Sequence, residues 1–251
     1  AMAAQLASLD LQVAVLESRM PEPFVDTDDF DLRVSAISPQ TVALLQNLGV
    51  WQRLCAMRLC PYRRLRVWEM RGFGDVTFEA QQVGCPELGF IVENRLLQIA
   101  LWRTLEALPQ VHIHCPSVCS EFRRVGDKIE VLSADGERFS GRLLIGADGA
   151  NSAVRQAFGV GVRGARYRQS CLVASVNTEY PQQDITWQRF TRDGPQAFLP
   201  LPGRRGSVVW YHRAERVEAL AALDPSTLAE RMMATFPREL GEIKILAKGS
   251  F

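Results

Sequence analysis

The stretch GRLLIGADGANSAVRQAFG, Gly141–Gly159, decides how the rest of the chain is read. Its apolar run Leu143–Ile145 has the composition of a short buried strand and leads into Gly146-Ala147-Asp148-Gly149. A short helix is expected next, with Asn151 or Ser152 at its N-cap and Gly159 placed to stop it. An acid and two glycines at the carboxyl end of a buried strand, facing a helix N-terminus, make a polar crevice of the kind open α/β sheets use for ligands. By spacing alone, an ordinary strand–turn–helix joint fits equally well.

Upstream, Ala1–Leu9 is strongly helical and begins without a capping residue. Val13–Leu16 is a short apolar strand, and Glu17 stands at its end. In a dinucleotide-binding βαβ unit an acid at such a place hydrogen-bonds a ribose hydroxyl, about twenty residues after the Gly-rich turn. That turn and its strand are expected upstream of residue 1. Taken alone, Glu17 is an ordinary strand-end acid. Pro21–Asp31 is acidic and irregular and reads as a loop. Ser38-Pro39 opens a helix running to Leu48 and stopped by Gly49, and Trp51–Met57 adds another helical turn or two. Leu65–Met70 and Asp75–Phe78 flank Gly72-Phe73-Gly74 as a hairpin. Arg53, Arg58, Arg63, Arg64, Arg66 and Arg71 read as a solvated face, with a docking surface for an anionic partner as the alternative.

Asn94–Leu108 has apolar residues at helical spacing. Val111–His114, Val118–Val125 and Lys128–Ser133 follow as strands, separated by glycine turns. His112 and His114 share one face of a strand, but no third ligand stands at a convincing spacing, so no metal site is expected. From Gly164 the character changes. Cys171–Thr178, Thr186–Phe190, Gln196–Leu201 and Ser207–Tyr211 read as antiparallel strands, the last two joined through Gly203–Gly206. Asp224 or Ser226 caps a helix ending at Phe236, before a final strand at Ile243–Leu246.

The bulk composition fits this α/β reading. The 251 residues are enough for one large domain or two modest ones, with 47% hydrophobic and 23% charged residues. A net charge of +1 argues against nucleic acid or an anionic membrane as the main partner, while leaving interfacial attachment open. No apolar run approaches the ~20 residues of a membrane span. The six cysteines form no C-x-x-C pair, so free buried thiols are expected.

Four stretches carry a resemblance. Ala147–Arg155 (ADGANSAVR) resembles the Asp-Gly motif of the class A flavoprotein hydroxylases, the p-hydroxybenzoate hydroxylase fold. Leu32–Trp51 (LRVSAISPQTVALLQNLGVW), Gly89–Trp102 (GFIVENRLLQIALW) and Ala197–Pro202 (AFLPLP) narrow it to the ubiquinone-biosynthesis branch. The resemblance implies a Rossmann-like FAD-binding domain, incomplete here, over residues 1–61 and 93–161. An antiparallel β-sheet substrate domain would occupy 62–92 and 162–251. The N-terminal G-x-G-x-x-G and the C-terminal Gly-Asp motif of the family are expected beyond the two ends.

By the same resemblance, NADPH or NADH reduces FAD, O2 adds to form a C4a-hydroperoxide, and oxygen passes to the ring of a polyprenylated phenol. No side-chain nucleophile is required, and no catalytic residue is assigned. Cofactor contacts are implied for Glu17, Arg33, Asn94, Val118, Asp148 and Gly149, with Arg155 bracing Asp148 or Glu17 by an ion pair. Phe198 and Pro200 are implied on the substrate side. Cytoplasmic residence, peripheral contact with the inner membrane, and other ubiquinone-biosynthesis proteins as partners are also implied; oligomeric state is left open. The competing readings are a cofactor-free scaffold of the same fold and a hydroxylase of a small soluble phenol.

Overall fold

The computed structural model describes residues 1–26, 29–165, 167–181 and 183–251. Along the chain the elements are α1 (Met2–Ala7), β1 (Val13–Leu16), β2 (Val34–Ile37), α2 (Pro39–Asn47), α3 (Trp51–Cys55), β3 (Cys60–Tyr62), β4 (Arg64–Glu69), β5 (Asp75–Glu79), β6 (Gly89–Glu93), α4 (Asn94–Glu106), β7 (Val111–His114) and β8 (Cys119–Val125). They continue with β9 (Lys128–Ser133), β10 (Arg138–Gly141), α5 (Ala153–Ala157), β11 (Ser170–Thr178), β12 (Ile185–Thr191), β13 (Gly194–Leu201), β14 (Arg205–His212), α6 (Ala214–Ala222), α7 (Pro225–Thr235) and β15 (Ile243–Ser250). These divide into two compact units, Ala1–Glu22 with Trp102–Arg166 and Pro23–Leu101 with Tyr167–Phe251.

In the first unit β1 and β7 pair in parallel, from Val13 opposite Val111 to Leu16 opposite His114. Helix α1 turns Ala4 and Ala7 inward. A three-stranded antiparallel meander, β10-β9-β8, completes it, with α5 against β8. The expected strand at Leu143–Ile145 does not form. Leu143 is 73% exposed and Ile145 44%. A strand needs a neighbouring backbone to take its hydrogen bonds, and among the described residues β1 and β7 pair only with each other. The segment therefore reaches Asp148 without joining a ladder.

The second unit is built on a seven-stranded sheet of order β15-β11-β14-β13-β12-β4-β5. All neighbours are antiparallel except β12 and β4. The β4–β5 hairpin thus joins strands far downstream in sequence. One face of the sheet packs Leu172, Val176, Trp187, Phe198, Val208 and Trp210 against Val217 and Leu220 of α6 and Leu228 and Met232 of α7. Of the two candidate caps, Asp224 and Ser226, it is Asp224 that caps α7, through the Ser226 and Thr227 amides. On the opposite face Leu199 and Leu201 meet Cys60 and Ile91 of the small β2-β6-β3 sheet. Ser38 caps α2, and Gly49, at φ 69°, ends it.

Candidate functional site

In the first unit the predicted residues gather around one connector. The β1–β7 ladder ends at Glu17, whose amide donates to the His114 carbonyl at 3.1 Å; the Ser117 amide returns a bond to the Glu17 carbonyl at 2.8 Å. The Glu17 side chain is half-buried. Its Oε1 accepts from Ser18 Oγ at 3.2 Å and from the Arg19 amide at 3.0 Å. Both bonds fall on one oxygen, so the carboxylate is oriented while Oε2 keeps its acceptor capacity. Val118, exposed, lies one residue beyond Ser117, and its carbonyl accepts from the Ala134 amide.

Asp148 is bound by its own helix. Ser152 Oγ donates to Oδ1 at 2.5 Å, and the Ala153 and Val154 amides donate to Oδ2 at 2.7 and 3.2 Å. Ser152 is the N-cap of α5 and in turn accepts from the Arg155 amide. The Ser152 hydroxyl first, and then these amides, hold the Asp148 carboxyl below the usual carboxylate range despite partial desolvation. Gly149, at φ 81°, makes the turn a side chain would strain. The expected ion pair from Arg155 is absent: its guanidinium donates to the Ala150 carbonyl at 2.9 Å. The helix amides, fixed and close, reach the carboxylate before a long side chain can.

The connector ties the two acids together. Burial pushes the Cys115 thiol up and the Glu17 charge adds to it; burial does the same at Cys119, with the Asp148 charge adding. Glu17 is tied to the segment before β8 by its backbone bonds to His114 and Ser117, and Asp148 holds the start of α5, which packs against β8. On the neighbouring strand His112 contacts Gln12 and His114 lies against Phe139, 3.7 Å from Glu137. Among the described residues no group of three or more His, Cys, Asp or Glu could hold a metal ion.

The second unit carries Arg33 and Asn94. The Asn94 amide donates to the Arg33 carbonyl at 3.0 Å, and Asn94 Oδ1 accepts from Ser35 Oγ at 2.7 Å. This leaves the Asn94 Nδ2 with its donor capacity. Arg33 is exposed, its guanidinium 5.8 Å from the Phe251 ring centre. Sequence reasoning missed the group behind this pair. Glu93, 2% exposed, is bridged by both Arg58 Nε and Nη2, and it also accepts from the Asp31 amide.

Phe198 and Pro200 correct the expectation for β13. The Phe198 ring is 1% exposed and stacks 6.0 Å from Trp187 inside the helix-covered core. Pro200, two residues on, is buried on the same side of the strand. The period of two puts Ala197 and Leu199 on the other face.

Each unit thus carries its own polar feature: the first an oriented carboxylate with a spare acceptor oxygen at the end of a parallel strand, the second an amide side chain held by Ser35 and an exposed guanidinium near the Phe251 ring. The sequence pattern of the FAD binding domain family matches residues 1–249. The chain is 44% identical over 251 residues to the 3-demethoxyubiquinol 3-hydroxylase of Escherichia coli K12, covering all of this chain and 64% of that protein. It is 33% identical over 241 residues to the ubiquinone hydroxylase UbiL of Rhodospirillum rubrum, covering 96% of this chain and 54% of that one. With the human mitochondrial ubiquinone biosynthesis monooxygenase COQ6 it shares 32% over 220 residues, 84% of this chain and 47% of that one. The chain thus spans about half to two thirds of the length of these relatives. Pseudomonas aeruginosa PqsL in complex with 2-aminobenzoylacetate has the same fold, at TM-score 0.76 and 18% identity over 98% of this chain and 69% of its own. Klebsiella pneumoniae HpxO complexed with FAD and uric acid follows at TM-score 0.67 and 15% identity, over 99% and 64%. A family match along nearly its whole length establishes that the chain belongs to the FAD-binding-domain family of flavin-dependent monooxygenases, with the ubiquinone-biosynthesis hydroxylases among its relatives.

Proposed function

We propose that this chain serves an FAD-dependent hydroxylase of ubiquinone biosynthesis, using NADPH or NADH and O2 to oxidise the ring of a polyprenylated phenol. The relatives' shared activity supports the substrate class. The structural observation that carries it is Glu17, a carboxylate oriented by two donors on Oε1 with Oε2 open at the end of β1. There it would accept from a ribose hydroxyl of the cofactor. When bound, the flavin supplies the redox and oxygen chemistry.

The chain's residues bind and orient. Val118 and Gly149 offer backbone to a dinucleotide, and Asp148 holds the Gly149 turn through α5. Asn94 donates from Nδ2, and Arg33 sets a cation for phosphate. In this reading residues 1–61 and 93–161 form the FAD-binding domain and 62–92 with 162–251 the substrate domain. The hairpin β4–β5 supports that division by joining the large sheet. No described helix is long and apolar enough to cross a membrane. We place the protein at the inner membrane surface as a peripheral partner of other ubiquinone-biosynthesis proteins, where a polyprenyl tail is available.

FAD titration followed by flavin fluorescence tests the reading. Wild type takes up FAD, and Glu17→Gln, which keeps shape but weakens the acceptor, binds roughly tenfold or more weakly, the worth of one charge-assisted hydrogen bond. Equal affinity for the two would remove Glu17 from the site. A wild-type protein that stays colourless would favour the scaffold reading.

A further inference from the structure

We propose that Glu93 is a positioning residue for the cofactor contacts Arg33 and Asn94, acting through Arg58 and the Asp31 amide; this rests on the flavin reading above. Glu93 ends β6, one residue before Asn94, and is 2% exposed. A carboxylate withdrawn from water in this way must be met by donors from the protein. Arg58 Nε reaches Oε2 at 2.7 Å, Arg58 Nη2 reaches Oε1 at 3.0 Å, and the Asp31 amide reaches Oε1 at 2.8 Å.

The guanidinium is fixed in turn. It lies 4.0 Å from the Phe30 ring centre and 5.0 Å from that of Phe24, and Nη2 also donates to the Asp29 carbonyl at 3.0 Å. Asp31 accepts from Arg95 Nε at 3.1 Å, and Arg95 Nη1 donates to the Pro23 carbonyl. One buried fork therefore pins the chain entering β2 against the start of α4.

What it pins is the pair with ligand chemistry. Glu93 stands opposite Val34 in the β2–β6 ladder, the Asn94 amide holds the Arg33 carbonyl, and Ser35 Oγ orients the Asn94 amide group. A buried ion pair seldom stabilises more than an apolar pair of the same volume. A bidentate fork does what an apolar pair cannot: it sets direction as well as distance. The arrangement therefore serves the geometry of Arg33 and Asn94 as well as the fold.

The test separates those two roles in the full chain, reading thermal midpoint and FAD affinity by flavin fluorescence. Glu93→Gln with Arg58→Met replaces the ion pair by a neutral, packed one. Its midpoint should return close to wild type while FAD binding stays roughly tenfold weaker, as Asn94→Ala alone would make it. Arg58→Lys keeps the charge and loses the fork, and it should weaken FAD binding by a similar factor. If either variant folds and binds FAD as tightly as wild type, the pair is structural only and the inference is overturned. Wild type failing to bind FAD would instead overturn the flavin reading, and this inference with it.

Discussion

Gly206 lies directly under the Phe198 ring. A methyl group at Gly206 would come within 2.1 Å of Cε2, 2.5 Å of Cζ and 3.1 Å of Cδ2. Carbon atoms rest at about 3.5–4.0 Å, so the ring would have to retreat by more than about 1 Å. It has nowhere to go: it is 1% exposed and stacked on Trp187, which is itself packed against Trp68 and Phe236 at 5.4 and 5.9 Å. Overpacking a close-packed core costs about 1–3 kcal/mol, and the depth of this clash puts Gly206→Ala near the upper value. Phe198→Leu removes the two ring atoms the methyl would strike and should cost roughly 1–2 kcal/mol by itself. Combined, the two substitutions should cost little more than Phe198→Leu alone, a coupling of about 2 kcal/mol. Urea unfolding followed by tryptophan fluorescence resolves this, because Trp68, Trp187 and Trp210 all report on this core. At about 1–3 kcal/mol per molar urea, the expected midpoint shift for Gly206→Ala is on the order of 1 M. Simple additivity of the two costs, or a Gly206→Ala midpoint equal to wild type, would refute the placement of Phe198 as a core residue.

Asp148→Asn should weaken the start of α5 by leaving one accepting oxygen where there were two, costing about 1 kcal/mol on the scale of one net hydrogen bond, with faster hydrogen exchange at the Ala153 and Val154 amides. Because the folded carboxyl titrates below its ordinary 3.8, the wild-type advantage is complete above that pH and disappears as acid protonates the folded group. A difference between the two proteins that persisted unchanged into strong acid would show that the charge is not what caps α5. Burial pushes the Cys60 thiol up to about 12 and the Cys171 thiol to about 11. Iodoacetamide near neutral pH should therefore leave both unlabelled in the native protein and label both in denaturant, read by peptide mass. Native labelling of either would mean that its strand opens locally.

Signals that act within a few residues were legible. Ser38 before Pro39, Asp224 before Pro225, Ser152 before α5 and the Gly72–Gly74 turn each carry their own geometry, because caps and turns are satisfied by their neighbours in sequence. Helix α6 passed unread although Val217 and Leu220 stand at helical spacing, since no side chain caps its start. Signals that depend on distant neighbours were not legible. Leu143–Ile145 has a strand's composition, but pairing is a property of the adjacent backbone. Phe198 and Leu199 are equally apolar, and which faces inward depends on where α6 and α7 lie. The arginine run read as uniformly solvated conceals one exception: Arg63 and Arg64 are 54% and 46% exposed, whereas Arg58, at 13%, is buried on Glu93 thirty-five residues away.

Asp148 shows the same division inside a single residue. Its position was legible because an acid followed by glycine, just before a capping serine, is a local pattern. Its partner was misread, because a nearby arginine looked like the natural counter-charge. The competition is decided by entropy: the amides of Ala153 and Val154 are already fixed by α5, whereas Arg155 would have to immobilise a long side chain to reach the same oxygens. The carboxylate therefore acts on its own backbone, and under the proposed function its effect on a dinucleotide would pass through the Gly149 turn. Substitutions at Arg155 should for that reason leave flavin affinity nearly unchanged, while substitutions at Asp148 or Ser152 should lower it together.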